Sequence, residues 1–229
     1  MALFAIGDTH LSFSVSKPMD IFGGWQDYVE RLEKNWTRIV GSDDTVVIPG
    51  DISWAMNLEE AKKDLEFLDS LPGKKIIGKG NHDYWWPTMA KIDAFVKENN
   101  FTTLNFLYNN AYAAEGVAVC GSRGWFFDDE SPQSELVIKR ECGRIRTSLE
   151  AASALGLPPI LFLHYPPITQ DRICEPIMEV ITSSGAKQCF YAHLHGNAIN
   201  YAFRGNFEGV SFDLVSADSL EFVPKLIVA

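Results

Sequence analysis

Residues 76–86, IIGKGNHDYWW, decide how the rest of the chain is read. An apolar, β-prone run stops at Gly80, and an amide, an imidazole and a carboxylate (Asn81, His82, Asp83) follow at once. Asn and Asp are turn formers and glycine permits unusual backbone angles, so one reading is a turn and nothing more. The other is a metal or catalytic site at the exit of a buried strand.

Five further apolar runs end in the same way. ALFAI (2–6) stops at Gly7-Asp8-Thr9-His10, and TVVIP (45–49) at Gly50-Asp51. VAVCG (117–121) stops at Ser122-Arg123-Gly124-Trp125, PILFL (159–163) at His164, and QCFYA (188–192) at His193-Leu194-His195. Continuous runs of this length read as strands buried on both faces. Helical stripes fill the gaps: Val29, Leu32, Trp36, Ile39 and Val40; Leu58, Ala61, Leu65, Leu68 and Leu71; Met89, Ile92, Phe95 and Val96. Asn57 and Glu60 form a capping box for the second. A fourth stripe runs through Ile138, Cys142, Ile145, Leu149 and Ala152 and ends at Gly156 and Pro158; a short fifth runs from Pro176 to Gly185. After His195 apolar and polar residues alternate, which predicts an antiparallel tail with its hairpin turn at Gly205-Asn206. No linker, repeat or low-complexity segment interrupts the pattern, so one domain over residues 1–229 is expected.

All five histidines fall in the strand-end clusters. A lone histidine is most simply a core residue with a backbone partner, but that does not account for five in equivalent positions. In α/β sheets ligands bind beyond the carboxyl ends of the strands. The clusters offer two Asp, one Asn and up to four His as donors. That is too many for one tetrahedral ion and suits a pair about 3.5–4 Å apart sharing a carboxylate.

The series Asp8-x-His10, Gly50-Asp51, Gly80-Asn81-His82-Asp83, His164, His193-x-His195 resembles the calcineurin-like metallophosphoesterase superfamily, over residues 7–196 and in that family's order. The resemblance implies an α/β fold, a four-layer αββα sandwich of two mixed β-sheets flanked by helices. It implies metal-dependent hydrolysis of phosphate esters, mono- or diester, on a small phosphorylated substrate. By the same resemblance Asp8, His10 and His195 hold one metal ion, Asn81, His164 and His193 a second, and Asp51 bridges them. A hydroxide shared by the ions attacks phosphorus in line. His82 faces the leaving group as general acid, with Asp83 as its orienting partner. The donors accept Mn, Fe, Zn, Ni or Co alike.

Two positions depart from the family pattern. Ala192 stands where glycine is usual, and Gly50-Asp51-Ile52-Ser53-Trp54 lacks a second Asp, which argues against a protein Ser/Thr phosphatase. A metal-free scaffold on the same fold predicts substituted ligands, and none is substituted. A mononuclear zinc hydrolase leaves Asn81 and several histidines without a role.

Trp54, Tyr84, Trp85, Trp86 and Trp125 follow strand-end clusters, either as core or as a wall that stacks a flat leaving group. Arg123 is a candidate for a phosphate oxygen or a surface residue. Arg140, Arg144 and Arg146 read as solvated salt-bridge partners on the fourth helix. The long loop 11–25 is expected to form a rim over the site.

The formal charge is −10 and no run of Lys or Arg offsets it, which argues against a nucleic-acid track. The four cysteines include no C-x-x-C pair, against a zinc ribbon or thioredoxin-like motif. The apolar start is too short for a signal or membrane segment, so a cytoplasmic protein with reduced thiols and no membrane partner is expected.

Overall fold

Each of the six apolar runs forms a strand in the computed structural model, which describes residues 1–125 and 132–229. The first sheet takes β1 (Leu3–Ala5), β2 (Thr45–Pro49), β3 (Lys74–Gly78) and β4 (Leu104–Phe106). The second takes β5 (Ala111–Ala114), β6 (Val117–Ser122), β7 (Pro159–Leu163), β8 (Gln188–Tyr191), β9 (Gly205–Phe207) and β10 (Val210–Leu214); β11 (Lys225–Val228) then returns to the first. The strand orders are β11-β1-β2-β3-β4 and β5-β6-β7-β8-β10-β9. Pairing is parallel within β1–β4 and among β6, β7, β8 and β10, and antiparallel where β5, β9 and β11 join. Both sheets are therefore mixed.

The apolar runs are continuous because both faces of each sheet are covered. Phe4, Val46, Ile48 and Ile77 pack among residues of helices α1 (Tyr28–Ile39), α2 (Leu58–Ser70) and α3 (Met89–Glu98). Their chain neighbours Leu3, Ala5, Val47 and Ile76 point the other way and meet Val119, Ile160, Phe162 and Phe190 of the second sheet. Cys120, Leu161, Leu163, Cys189 and Tyr191 face outward onto α4 (Pro132–Ala154) and α5 (Glu175–Ser183). The period of two along each strand thus feeds two cores, and the layers run helix, sheet, sheet, helix. Each fully buried Val, Ile or Leu contributes roughly 1.5–3 kcal/mol over its exposed state.

The capping box of α2 forms as its sequence predicts: Asn57 Oδ1 accepts from the Glu60 amide at 3.0 Å. Glu60 reaches back one residue further than usual, to the Met56 amide at 2.9 Å.

Three details correct the sequence reading. β4 and β5 were not foreseen, because three- and four-residue segments carry too little pattern to stand out. The hairpin turn is Glu208-Gly209, with φ of 50° and 83°, while Gly205 and Asn206 lie within β9. Positive φ at both central residues is the backbone of a type I′ two-residue hairpin. The tail is also not wholly antiparallel: a 3₁₀ helix at Gly196–Tyr201 lets the chain turn back, and β10 runs parallel to β8. Among the described residues no helix is long and apolar enough to cross a membrane.

The two sheets meet closely at the ends of β1 and β8. The Gly7 amide donates to the Val215 carbonyl at 2.7 Å, and a Cβ on Gly7 would stand 2.7 Å from the Cβ of Ala192. Glycine at position 7 therefore makes room for alanine at 192, the position where the sequence departs from its family pattern.

Candidate metal centre

Parallel strands deliver their carboxyl ends to one edge, and the polar clusters collect there. Asp8 and His10 follow β1, Asp51 follows β2, Asn81 and His82 follow β3, His164 follows β7, and His193 and His195 follow β8. Four of these residues have left-handed backbone: Asp8 (φ 58°), His10 (44°), Asp51 (53°) and His193 (74°). For residues other than glycine this costs about 1–3 kcal/mol each and persists only where the surroundings enforce it. The strain aims side chains inward that a relaxed strand exit would send elsewhere.

Glycines make the enforced geometry possible. A Cβ on Gly80 would lie 2.1 Å from Asp51 Oδ1, and one on Gly50 would lie 2.6 Å from the Gly80 amide nitrogen. The β2 and β3 exits therefore touch backbone to backbone, and Asp51 sits in the notch.

Two donor groups result. Asp8, His10 and His195 converge within 4.8 Å of one another, as do Asp51, His164 and His193. Asp51 Oδ2 faces both, 3.8 Å from His10 Nε2 and 3.5 Å from His164 Nε2. Its other oxygen accepts the His82 amide at 2.8 Å. Asn81 Oδ1 lies 2.6 Å from His164 Nε2, so the amide joins the second group.

The protonation pattern favours a cation. His164 Nδ1 lies 3.1 Å from the Pro49 carbonyl, which can only accept, so the proton belongs on Nδ1. Burial pushes His164 down to about 3, against the pull of Asp8, and the ring is neutral. Its Nε2 lone pair then confronts Asn81 Oδ1 and Asp51 Oδ2, three acceptors aimed at one spot. In the other group, His10 Nε2 and His195 Nε2 approach to 3.3 Å. Asp8 Oδ1 and His10 Nδ1 are buried with no hydrogen-bond partner among the described residues. Leaving such atoms unpaired costs roughly 1–3 kcal/mol each, so a ligand-free reading of this pocket is physically poor. Nitrogen and oxygen donors in this mixture fit first-row transition ions.

Charge is distributed unevenly. Burial alone would raise Asp8, but His195, His164 and His10 outweigh it and hold the carboxyl below its usual range. Burial would lower His195, but Asp8 and Asp218 outweigh it and push it up to about 10. Burial, then the neighbouring carboxylates Asp83 and Asp8, drives Asp51 well above the usual range.

Asp83 corrects the sequence reading. Its Oδ2 accepts the amides of Gly80 (2.7 Å) and Asp51 (2.9 Å). Its Oδ1 accepts the Ile52 amide (2.8 Å), the Ser53 amide (3.4 Å) and the Trp85 indole (2.9 Å). Loop N–H groups beyond a sheet edge need acceptors, and this carboxylate supplies them. None of its bonds goes to His82, so Asp83 ties the β2 exit to the β3 exit rather than orienting that imidazole. The His82 ring is instead flanked by Trp54 (4.4 Å between centroids), His10 (5.7 Å) and Tyr84 (6.2 Å). Burial lowers its pKa, and Asp8 works in the opposite direction.

The aromatics divide. Trp85 and Trp86 are core, packed with α3 and β4. Trp54 stacks on His10 at 4.9 Å and 20°, and Tyr84 is 58% exposed, so these two stand at the mouth. Trp125 lies beside Tyr165 (5.6 Å) under the Arg123 guanidinium (5.4 Å). The Arg123 carbonyl accepts the amides of His164 (3.1 Å) and Tyr165 (2.8 Å), so its backbone helps aim the donor His164. Loop 11–25 does reach the site: buried Trp25 packs edge-on against His195 (5.6 Å), and Lys17 sits 5.9 Å from the Trp54 ring.

Sequence reading missed Asp218. Its Oδ1 accepts a hydrogen bond from His195 Nδ1 at 3.0 Å and its Oδ2 one from the Gly196 amide at 2.9 Å, which points His195 Nε2 at Asp8 and His10. An acidic residue in an alternating tail carries no local sign of this.

The family model for calcineurin-like phosphoesterases matches residues 1–197. Uncharacterized protein MJ1445 of Methanocaldococcus jannaschii is 31% identical over 86 residues; the match spans 35% of this chain and 46% of that protein, under half its length. Among solved structures, phosphopantetheinyl hydrolase (PptH) from Mycobacterium tuberculosis superposes with a TM-score of 0.58 at 16% identity, over 99% of this chain and 95% of that one. The protein of unknown function AQ665 from Aquifex aeolicus gives 0.51 at 16% identity, over 98% and 95%. At such identities the structural likeness speaks for the fold alone.

Proposed function

The chain belongs to the calcineurin-like phosphoesterase family, and from that premise we propose that it hydrolyses small phosphate esters with two bound metal ions. The observation that carries this is the pair of donor groups with Asp51 facing both. Asp8, His10 and His195 would hold one ion, and Asn81, His164 and His193 the other. Bound ions of this kind neutralise phosphate oxygens and lower the pKa of water.

The chain's own residues do the remainder. Asp51 keeps the two sites in register through its left-handed backbone and its bond from the His82 amide. His82, at the mouth and outside both donor groups, gives a proton to the departing oxygen. Trp54 and Tyr84 flank it and exclude water from one side. A cationic centre inside a chain of charge −10 also supplies the attraction for an anionic substrate. The missing second Asp weighs against a protein phosphatase, and the partnerless buried atoms at Asp8 and His10 weigh against a metal-free scaffold. The four cysteines are free and buried, which supports a reducing compartment such as the cytoplasm.

The test strips the protein with a chelator, returns Mn²⁺ or Ni²⁺, and screens phosphomonoesters, diesters and nucleotides. A phosphopantetheinyl ester belongs in the screen because one structural neighbour is a hydrolase of that group. The expected result is turnover only with added metal, at about two ions per chain. Turnover that survives chelation, or a stoichiometry of one, would overturn the reading.

Asp218→Asn separates His195's support from its ligation. The change removes the anion behind the imidazole while preserving size, and metal affinity at that site is expected to fall about 10–100-fold. Competition against a chromophoric chelator measures it, and wild-type affinity would show that Asp218 merely caps the Gly196 turn.

A further inference from the structure

A cavity of about 270 Å³ opens where β3, β4, β6 and α4 meet, and four of its lining side chains are cationic: Lys79, Arg123, Arg140 and Arg144. This concentration of positive charge is unexpected in a chain with 30 acidic and 20 basic residues. Among the described residues, Arg144 has a carboxylate partner, Glu141 Oε1 at 2.6 Å. Glu141 is fully buried, and its other oxygen serves the Ser122 hydroxyl (2.5 Å) and the Gly124 amide (3.2 Å). Among the described residues no carboxylate pairs with Lys79, Arg123 or Arg140. Lys79 donates to the Trp86 carbonyl at 3.2 Å, and Arg123 keeps a buried Nε with no hydrogen-bond partner among the described residues.

No donor residue lines the cavity, but two lining residues connect it to the second donor group. Lys79 lies two residues before Asn81 on the same strand exit, a span of at most about 7 Å. Arg123 supports His164 through its carbonyl, and its guanidinium lies 6.0 Å from the ring of Tyr165, which is itself 4.4 Å from the His193 ring. Asn109 adds a neutral amide to the wall, while the Ser122 hydroxyl there is committed to Glu141. Uncompensated guanidinium groups with neutral donors beside them recognise phosphate oxygens.

We propose that this cavity is a second anion site, which binds a phosphate group of the substrate other than the one hydrolysed. The proposal rests on the phosphoesterase reading above and narrows it to substrates that carry two phosphates. One phosphate enters the metal centre, and the other is held by Arg123, Arg140 and Lys79. A single-phosphate ester lacks that second anchor. The fold assembles the site from residues 79, 123, 140 and 144, so no basic run marks it in the chain.

Two measurements on the full chain test this. The first titrates metal-free protein with inorganic phosphate, so it does not depend on turnover. Arg140 is exposed on α4, so Arg140→Gln is expected to fold normally, as circular dichroism would verify. Loss of one charge-assisted contact should weaken phosphate binding about tenfold or more, and Arg123→Gln/Arg140→Gln should weaken it further. The second compares AMP with ADP on the Mn²⁺-loaded protein. Arg140→Gln should raise KM for ADP about tenfold more than it raises KM for AMP. Phosphate binding that ignores both variants, or KM values that move together, would overturn the second site. If no phosphate ester turns over with any metal, the phosphoesterase reading fails, while the phosphate titration still decides whether the cavity binds the anion.

Discussion

Asp51→Asn is expected to abolish binding of both ions at working concentration and to lower phosphate-ester turnover by about 10³-fold. A Lewis acid at a phosphoryl centre is worth several kcal/mol, and each 1.4 kcal/mol is about tenfold in rate. Asp51 Oδ2 faces the Nε2 atoms of His10 in one group and His164 in the other, so its charge is shared, and a neutral amide cannot replace it. The fold should survive. Asn tolerates left-handed backbone well, and its carbonyl oxygen can still accept the His82 amide. The metal-free variant should melt at or above the temperature of the metal-free wild type. Burial and the nearby carboxylates Asp83 and Asp8 make an ionised Asp51 costly when nothing neutralises it. Elemental analysis counts the ions, and calorimetry reads the melting point. Retention of two ions at wild-type affinity would remove the bridge from the mechanism.

What could be read in the chain, and what could not, divides along the range of the interactions. The strand exits are legible because the apolar run and its donors are contiguous, as in IIGKGNHD, and the strain at Asp8, His10, Asp51 and His193 is imposed on residues already suspected. Asp83 misled for the same reason. Adjacency to His82 suggested a partnership, but neighbours on a loop point in different directions, and amides some 30 residues earlier claim the carboxylate. Asp218 acts 23 residues after His195, across a turn whose path only the fold determines. Gly205-Asn206 and Glu208-Gly209 are comparable turn signals in isolation. The choice goes to the second because Phe212 and Leu214 must face inward beside Cys189 and Tyr191, which sets the register of β10. The basic cavity is the extreme case, since its cations come from three separate places in the chain; Arg123 alone reads as a phosphate candidate, and Arg140 and Arg144 read as solvated salt-bridge partners.

His82→Gln should leave both ions in place and depress turnover selectively. The side chain belongs to neither donor group, and its amide, which holds Asp51, is backbone that the change does not touch. Glutamine can still donate a hydrogen bond from nearly the same position, but it cannot release a proton to a departing alkoxide. Esters of alkyl alcohols, whose leaving groups need that proton, should slow by about 10²–10⁴-fold in kcat. Esters of p-nitrophenol, whose anion departs unaided, should slow far less. The contrast separates three roles for one imidazole. Equal losses for both ester types would mean that His82 positions the phosphate or stabilises its charge. A rise in KM with kcat preserved would mean that it binds substrate uniformly. Loss of metal would mean that it ligates an ion after all. Only the leaving-group dependence fits a ring set at the mouth of the pocket, half-buried against Trp54 and outside both donor groups.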